Sequence, residues 1–445
     1  MSDGLLITNA TILTVNPEDE VIHDGALLIE KGRISDIGPS VALEGKYAGV
    51  ERMDATGHVL LPGLVNLHLH SGLIRGTAED LPVFEWLTKY VDPKHRALTA
   101  DIAFAAARLS YTEALLSGTT CVMDMYRYMH KCADAAESLG LRATLAPYVV
   151  DKPGMDYFES LDKNVQLVLD RNKTANGRIQ VWFALEHLTY CTEDAYRKAA
   201  AYAEKYDTGI HTHGEESIEM ARRLHAETGR WPVELFYDRG ILGPRTVLAH
   251  CVWLQDTERE LLARTGTAVA HCPVSNLKLA SGIAPIKELL DLGVTVGIGT
   301  DGVKENNNLD MLEELKFVPL LQKARLLDAT VIKAETALRM ATIDGARALG
   351  LDGEIGSLEI GKKADLIAVD FRKHHLTPVI RGKYDNAVSN LVYSASGADV
   401  SHVFVDGKPL VRGRKLLTAD AEEIRVSAQV AAERLFALRE PFVPV

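Results

Sequence analysis

The stretch LVNLHLH at residues 64–70 is a short apolar run that ends in two histidines and is followed by a long segment of helical periodicity. The same arrangement recurs along the next 230 residues or so. The further runs are TTCVMDM (119–125), RATLAPYVV (142–150), QVWFALEH (180–187), TGIHTH (208–213), TVLAHC (246–251), TAVAHC (267–272) and TVGIGTD (295–301). Eight strands that alternate with helices over residues 61–349 predict an α/β fold, a parallel (β/α)₈ TIM-type barrel.

Segments of helical periodicity separate these runs, and several begin with acidic residues, which the helix dipole favours in the first turn. The clearest are Asp101–Leu116, Glu193–Tyr206, Ser217–Thr228 and Leu309–Ala324.

The two ends of the chain have a different pattern. The first 60 residues contain the strand-like runs LLITNATILTV, GALLIEKG and GHVLLPG, and no helix is predicted there. After Gly350, strands are predicted in GSLEIGKKADLIAVD, SNLVYS and VSHVFVDGKPLVRG, followed by a helix from Ala421 to Leu438. We therefore expect residues 1–60 and 350–445 to form one small composite β-sandwich domain beside a barrel domain at 61–349.

Composition excludes several classes of protein. The chain has 445 residues, 47% of them apolar and 25% charged, which is typical of a globular protein of two or three domains. Its net charge of −12 has no long run of one sign, which argues against nucleic-acid or anionic-membrane partners. No basic leader or membrane-length apolar segment is evident, so we expect a cytoplasmic protein.

The five cysteines form an odd set without a C-x-x-C pair. This argues against both a disulfide framework and a zinc ribbon, so we expect them to be reduced. Cys251 and Cys272 each follow an inward-facing histidine by one residue, and strand alternation therefore turns them outward, into the core.

Histidines and one aspartate mark the carboxyl ends of five predicted strands, where barrel active sites lie. They are His68 and His70 on strand 1, His211 and His213 on strand 5, His250 on strand 6, His271 on strand 7 and Asp301 on strand 8. A single strand histidine is ordinarily a hydrogen-bonded core residue, but burial of so many titratable groups without a metal would cost several kcal/mol. Residues i and i+2 share a face, and imidazoles with one carboxylate suit Zn²⁺, although Fe²⁺ or Mn²⁺ accept similar ligands.

Five motifs in this order, PGLVNLHLH, HTHGEE, LAHC, SNLKLASGIAPI and GIGTDG, resemble the amidohydrolase superfamily, and specifically its s-triazine and nucleoside deaminase and chlorohydrolase branch. The resemblance covers the whole chain, including the flanking GKKADLIAVD and VFVDGKPLVRG. It implies roles for individual residues. By resemblance, the metal ligands are His68, His70, His213 and Asp301, the catalytic residues are Glu216, His250 and Asp301, and the substrate contacts are Trp86, His187 and Glu216.

His211 and His213 lie on the same face of strand 5, so their positions alone do not show which of them is the metal ligand. The resemblance favours His213, because the family motif places the glutamate three residues after the ligand, as Glu216 is after His213. Two-metal members of the superfamily carry a strand 4 lysine, and QVWFALEH has none, so one metal is expected. A single ion lowers the pKa of its bound water toward ~7. Asp301 then accepts a proton, Glu216 protonates a ring nitrogen, and ammonia leaves.

The predicted function is thus a metal-dependent aminohydrolase of a small amino-substituted heterocycle: an s-triazine, pyrimidine, pterin or purine base. Relatives that deaminate methylthioadenosine or adenosylhomocysteine carry a Glu and an Arg where this chain has His95 and Pro147, which disfavours that alternative. The loop after Asp301 reads Val303-Lys304-Glu305 before three asparagines, where relatives place small residues. Lys304 and Glu305 are either solvated, or one of them recognises a substrate charge or exocyclic group.

Other functions stay open at this stage. The same site could hydrolyse a ring C–Cl bond, a C–N bond to an alkylamine, an amide or a urea. A scaffold that has lost its chemistry is disfavoured because every expected ligand is in place. Glu216 could also be a structural acid neutralised by Arg222. The expected partner is a small heterocyclic substrate, and a homo-oligomer is possible.

Overall fold

The computed structural model describes residues 4–77, 79–81 and 83–444, apart from the side chains of residues 83 and 84. The strands in these residues are β1 Gly4–Leu13, β2 Val21–Glu30, β3 Arg33–Pro39, β4 Glu51–Asp54, β5 His58–Pro62, β6 Leu64–Leu69, β7 Thr119–Tyr126, β8 Arg142–Pro147, β9 Ile179–Val181, β10 Phe183–Leu185, β11 Ile210–Gly214, β12 Thr246–His250, β13 Ala268–His271, β14 Val296–Ile298, β15 Leu366–Asp370, β16 Val400–Val405, β17 Lys408–Arg412 and β18 Lys415–Leu416.

The α-helices are α1 Ser40–Lys46, α2 Val83–Trp86, α3 Asp92–Ala97, α4 Ala100–Leu116, α5 Met129–Leu139, α6 Leu161–Arg171, α7 Thr174–Gly177, α8 Glu193–Lys205, α9 Ile218–Thr228, α10 Pro232–Asp238, α11 Asp256–Thr265, α12 Pro273–Lys278, α13 Ile286–Asp291, α14 Met311–Leu326, α15 Ala334–Met340, α16 Ile343–Ala348, α17 Ala387–Ser394 and α18 Ala421–Arg439. A π-helix covers Leu87–Val91, and 3₁₀ turns cover His374–Leu376, Gly382–Tyr384, Gly397–Asp399 and Glu440–Phe442. None of the helices in the described ranges is both long and apolar enough to cross a membrane.

One of the two nine-stranded sheets in the described residues closes into the barrel expected from the sequence. Its strand order is β10-β11-β12-β13-β14-β6-β7-β8-β9, and the pairs from β10 to β14 are parallel. β9 and β10 are two halves of one strand that Trp182 separates. The amide of Trp182 donates to Leu145 O on β8, whereas the amide of Phe183 donates to Gly209 O before β11, each over 2.9 Å. One interrupted strand therefore joins both ends of the sheet, and the barrel has eight strands.

The two ends of the chain meet in the second sheet, which has the order β18-β17-β16-β15-β5-β1-β2-β3, with β4 paired to β1. β15 pairs antiparallel with β5, so the C-terminal segment continues the sheet of the N-terminal segment. Ile12 and Leu60 from the first segment share an apolar core with Leu366 and Phe404 from the second. This confirms the predicted additional β domain built from both termini.

One predicted strand is wrong. SNLVYS lies in helix α17. The buried side chains of this helix, Ala387, Leu391 and Val392, recur at helical rather than alternating spacing. The first 60 residues also contain the short helix α1, where none was predicted; it buries Ser40 and Leu43.

The four clearest predicted helices are confirmed as α4, α8, α9 and α14, and the last helix as α18. Their starting points are set by side-chain caps where a suitable residue is present. Thr192 accepts a hydrogen bond from the Ala195 amide at α8, and Asp310 accepts one from the Leu312 amide at α14.

The chain divides into two compact units. The first comprises Met1–Asn66, Glu113–Cys121 and Asp310–Thr418, and the second comprises Leu67–Thr112, Val122–Leu309 and Ala419–Val445. All the site residues expected from the sequence fall in the second unit. The functional domain limits, 1–60 with 350–445 and 61–349, stay a prediction.

Candidate active site

Four side chains from three strand ends converge in the second unit. His70 Nε2 lies 3.3 Å from Asp301 Oδ1 and His68 Nε2 lies 3.5 Å from the same oxygen. His213 Nε2 lies 3.2 Å from His70 Nε2. All four side chains are buried, and burial lowers the pKa of each of the three histidines, so their rings are neutral.

Backbone carbonyls fix the orientation of two of these rings. His70 Nδ1 donates to Met125 O over 2.6 Å, and His213 Nδ1 donates to Glu186 O over 2.6 Å. With the ring proton held on Nδ1, each Nε2 carries a lone pair. The short contact between the two Nε2 atoms therefore brings two lone pairs together, which is the arrangement of ligands around a cation and not a hydrogen bond.

His211 fixes the orientation of the third ring of the cluster, that of His68. Its Nδ1 donates to Val247 O over 2.9 Å, which leaves Nε2 as an acceptor. His68 Nδ1 donates to that Nε2 over 2.8 Å, and His68 Nε2 thus also faces the cluster with its lone pair. Because both nitrogens of His211 are used, the structure places His211 behind His68 and places His213 at the centre of the cluster.

Two hydrogen bonds hold the carboxylate of Asp301. Ser275 Oγ donates to Asp301 Oδ2 over 2.7 Å, and the Gly302 amide donates to Oδ1 over 2.9 Å. Burial alone raises the pKa of Asp301, but His68, His250 and His70 outweigh it and hold the pKa well below its ordinary value. The backbone of Asp301 is left-handed, with φ of 62°, a strained conformation of the kind that concentrates at functional sites.

His250 and Glu216 lie beside the cluster. His250 Nε2 is 3.9 Å from Asp301 Oδ2 and 4.0 Å from Glu216 Oε2, and its Nδ1 contacts Asn276 Oδ1 at 3.0 Å. Glu216 also accepts a hydrogen bond from Ser281 Oγ, at 3.3 Å. Its side chain is 25% exposed, so it is the member of this group most accessible to a small molecule.

The donor atoms fit one divalent ion. Ligand nitrogens and oxygens about 2.0–2.1 Å from a tetrahedral centre are about 3.3–3.4 Å from one another, and the Nε2 and Oδ1 separations above lie around that value. Two overlapping groups have all ligand atoms within 4.8 Å of one another: His68 with His70 and Asp301, and His68 with His213 and His250. The set supports a single divalent metal, with His250 at its edge.

A cavity of about 70 Å³ opens onto these residues. Trp86 and His187, both expected near the substrate, line it together with His70, His213, Glu216, His250 and Asp301. A second cavity of about 370 Å³ adjoins it and shares several walls, among them Leu87, Val91, Tyr148, Glu186 and Tyr190. His95 lines the second cavity, and Pro147 ends β8 one residue before Tyr148.

Lys304 and Glu305 are not solvated. They are only 5% and 4% exposed, they form an ion pair with each other, and both line the first cavity. Lys304 Nζ lies 4.9 Å from the centre of the Trp86 ring. Burial lowers the pKa of Lys304 to about 8. The loop after Asp301 folds back into the barrel mouth, which residue polarity alone did not indicate.

His271 does not join the cluster. Its ring is fully buried, burial lowers its pKa to about 3, and neither ring nitrogen has a hydrogen-bond partner among the described residues. Cys251 and Cys272 are buried and form no disulfide among the described residues, as expected.

Two residues of the cavity were missed from the sequence. Tyr148 donates to Glu186 Oε1 over 3.4 Å, and burial raises the pKa of Glu186 to about 8, while its carbonyl orients His213. Glu186 stands next to His187 at the end of strand 4, so its position at a barrel strand end was the available signal.

The sequence model of the Amidohydrolase family matches residues 59–410. The chain belongs to the amidohydrolase family. This amidohydrolase is 41% identical to a 5-methylthioadenosine/S-adenosylhomocysteine deaminase of Desulforudis audaxviator, over 97% of this chain and 99% of that protein.

Two solved structures show the same fold. An adenosine deaminase from Xanthomonas campestris with bound zinc matches with a TM-score of 0.92 and 31% identity, over 97% of this chain and 98% of that one. The atrazine chlorohydrolase of Arthrobacter aurescens TC1 complexed with zinc matches with a TM-score of 0.87 and 26% identity, over 96% and 100%. The branch expected from the motifs is thus confirmed, and the amidohydrolase is a metal-dependent hydrolytic deaminase that acts on C–N bonds of an amino-substituted heterocycle.

Proposed function

We propose that this amidohydrolase is a zinc-dependent deaminase of a 6-aminopurine that carries a substituent on its ring, such as a nucleoside. The observation that carries this choice is the pair of adjoining cavities with shared walls. The smaller one lies against the histidine cluster and suits the reacting ring, and the larger one offers room for a substituent that a bare base lacks.

His68, His70, His213 and Asp301 would hold the zinc, since their lone pairs converge at tetrahedral separations. When bound, the ion supplies the Lewis acidity that makes water a nucleophile at neutral pH. His211 is a positioning residue in this scheme, because it acts on the site only through the ring of His68.

Glu216 and His250 handle protons and developing charge. Glu216 is three residues beyond His213 and faces the cavity, where its carboxyl group can protonate a ring nitrogen. The carboxylate can then take the hydroxyl proton of the adduct and pass it to the leaving amine, and the proton that Asp301 took from the water returns to Glu216 at the end of the cycle. Asp301 can accept the proton of the attacking water, and His250 lies within 4.0 Å of both carboxylates, so it can stabilise the charge that shifts between them.

The substrate contacts we propose are Trp86 and His187, which line the first cavity. The names of two similar proteins, an adenosine deaminase and a methylthioadenosine/adenosylhomocysteine deaminase, support a purine nucleoside. His95 lines the second cavity with both ring nitrogens lacking a hydrogen-bond partner among the described residues. Its ring could bond a hydroxyl group of the substituent in place of the glutamate found in sulfur-nucleoside deaminases.

We also propose that the protein works in the cytoplasm, without nucleic acid or membrane partners, and a homo-oligomer stays a prediction. Five buried cysteines without a disulfide support a reducing compartment.

The test is ammonia release by the zinc-loaded full chain from adenine, adenosine, 5′-deoxyadenosine and 5′-methylthioadenosine, with chloride release from a chlorotriazine measured in parallel. We expect kcat/KM for at least one nucleoside to exceed that for adenine by about 10-fold or more, because only a nucleoside occupies both cavities. Preference for bare adenine, or chloride release without ammonia release, would contradict the proposal.

A further inference from the structure

Lys304 and Glu305 form a buried ion pair inside the catalytic cavity, in a loop that the mechanism above does not use. The Glu305 carboxylate accepts from Lys304 Nζ through Oε1. The ammonium group also lies over the Trp86 ring, at 4.9 Å from its centre. Buried charges of this kind are costly unless each is compensated, so a pair kept in a substrate cavity calls for a function there.

The ion pair leaves donors of the Lys304 ammonium group and one oxygen of the Glu305 carboxylate free to bind a ligand. An ammonium group has three donors, and Glu305 takes one of them. Glu305 Oε2 and Trp86 Nε1 are both buried and have no hydrogen-bond partner within the described part of the chain. Donors from Lys304 and Trp86 and an acceptor from Glu305 thus line one cavity together.

The loop that carries the pair is fixed in place. Lys278 Nζ donates to Lys304 O over 3.0 Å and to Asn307 Oδ1 over 2.6 Å, and it forms an ion pair with Glu79 at 2.8 Å. The Glu305 carboxylate lies so close to Gly302 that a Cβ atom at that residue would be 2.5 Å from Oε2. The positions of the donor and acceptor are therefore preorganised, as a specificity site requires.

We infer that Lys304 and Glu305 are specificity-determining residues that recognise a ring lactam on the substrate, the ammonium group donating to its carbonyl oxygen and Glu305 Oε2 accepting from its adjacent N–H. This rests on the proposed function and adds to it a preference, within the 6-aminopurines, for a ring that carries an oxo group.

The donors and the acceptor of the cavity favour a lactam over a ring without an oxo group. A 6-aminopurine that is substituted at N9, as in a nucleoside, offers only acceptors on its ring nitrogens, and its one donor on the purine is the amino group. That amino group is the reacting group and has to face Glu216 and the zinc ligands, so it cannot also satisfy Glu305. A lactam supplies an acceptor and a donor on neighbouring atoms, which matches a lysine and a glutamate that are neighbours in the chain. A site that hydrogen-bonds a substrate group also rejects analogues that lack it, because its own polar atoms are then left unpaired.

The experiment measures equilibrium binding of purine and 8-oxopurine to the zinc-loaded full chain by calorimetry. Neither probe has a 6-amino group, so neither is consumed. Wild type is compared with Lys304→Met, and with Lys304→Met/Glu305→Gln, which removes both charges in case the single variant leaves Glu305 uncompensated and unfolds. Lys287→Met is the matched control, since Lys287 pairs with Asp291 on the surface of α13. Circular dichroism checks folding.

We expect wild type and the control to bind 8-oxopurine at least about 10-fold more tightly than purine, the effect of one charged hydrogen bond. Both Lys304 variants should bind the two probes within about 2-fold of each other. Equal binding by wild type, a preference that survives in a folded Lys304 variant, or failure of both probes to bind would overturn the inference.

Ammonia release from adenosine and 8-oxoadenosine separates the two proposals. Preferential binding of 8-oxopurine without ammonia from either nucleoside refutes the deaminase proposal and leaves the lactam inference standing. Ammonia release from adenosine without any binding preference does the reverse.

Discussion

His211→Phe tests how the site is built, because His211 touches neither substrate nor metal in our account. The substitution keeps an aromatic ring of similar size in the buried position and removes both hydrogen bonds, to Val247 O and from His68 Nδ1. His68 then keeps a buried N–H without an acceptor, or turns its ring and loses the alignment of Nε2 with Asp301.

The expected magnitude follows from those two contacts. A buried donor that loses its partner costs about 1–3 kcal/mol, and loss of an outer-shell partner of a ligating histidine weakens metal binding about 10–100-fold. These ranges agree, because 10-fold corresponds to about 1.4 kcal/mol. We therefore expect the zinc Kd of His211→Phe to rise about 10–100-fold.

The assay is competition with a chelator of known zinc affinity at pH 7.5, with circular dichroism as a check on folding. His271→Asn is the matched control, since His271 is also a fully buried strand-end histidine of the barrel, and neither of its ring nitrogens has a hydrogen-bond partner among the described residues. A zinc Kd for folded His211→Phe within 2-fold of wild type would refute the reasoning, as would an equal loss in His271→Asn.

Further outcomes are expected. The purified chain should hold one tightly bound metal, since strand 4 has no lysine to bridge a second, and two ions per chain by elemental analysis would sink this. His68→Ala and Asp301→Ala should lose metal and activity yet keep their circular dichroism spectrum, because the barrel core lies beneath the site; an unfolded spectrum before heating would count against it. Since burial lowers the pKa of His271 to about 3, the unfolded chain gains a proton below its ordinary pKa of about 6.5 that the folded chain does not. The unfolding free energy should therefore fall by up to about 1.4 kcal/mol per pH unit from pH ~6 to ~4, and denaturant titrations of His271→Leu should lack this component.

The sequence predicted the barrel and the residues around its mouth because strand ends in this fold are a geometric constraint. His68, His213 and Asp301 stand at such ends, and closure of the eight strands into a barrel gathers these ends around one mouth. The helices were predictable for a similar reason, since their apolar spacing is local information.

The structure differs from the sequence predictions at residues whose conformation or burial depends on contacts between distant segments. SNLVYS reads as a strand because Leu391, Val392 and Tyr393 are apolar in a row, but burial on one helical face decides its structure. Lys304 and Glu305 look solvent-exposed as two adjacent charges, and only the packing of their loop against Trp86 shows that they neutralise each other inside the cavity.

The choice between His211 and His213 could not come from spacing, because both residues share one face of the strand. It depends on which ring reaches Val247 O and which reaches Glu186 O, and these acceptors lie on other strands.

The most direct test of the account is Glu216→Gln on a proven substrate, with metal content measured on the same preparation. The substitution keeps the shape of the side chain and its contact with Ser281, and it removes the proton that the mechanism needs. We expect kcat to fall by at least about 10²-fold with an unchanged zinc-to-chain ratio and unchanged substrate binding. The ion pairs of the described residues include none between Glu216 and Arg222, so the variant loses no ion pair with that arginine. A variant with wild-type kcat would contradict the account.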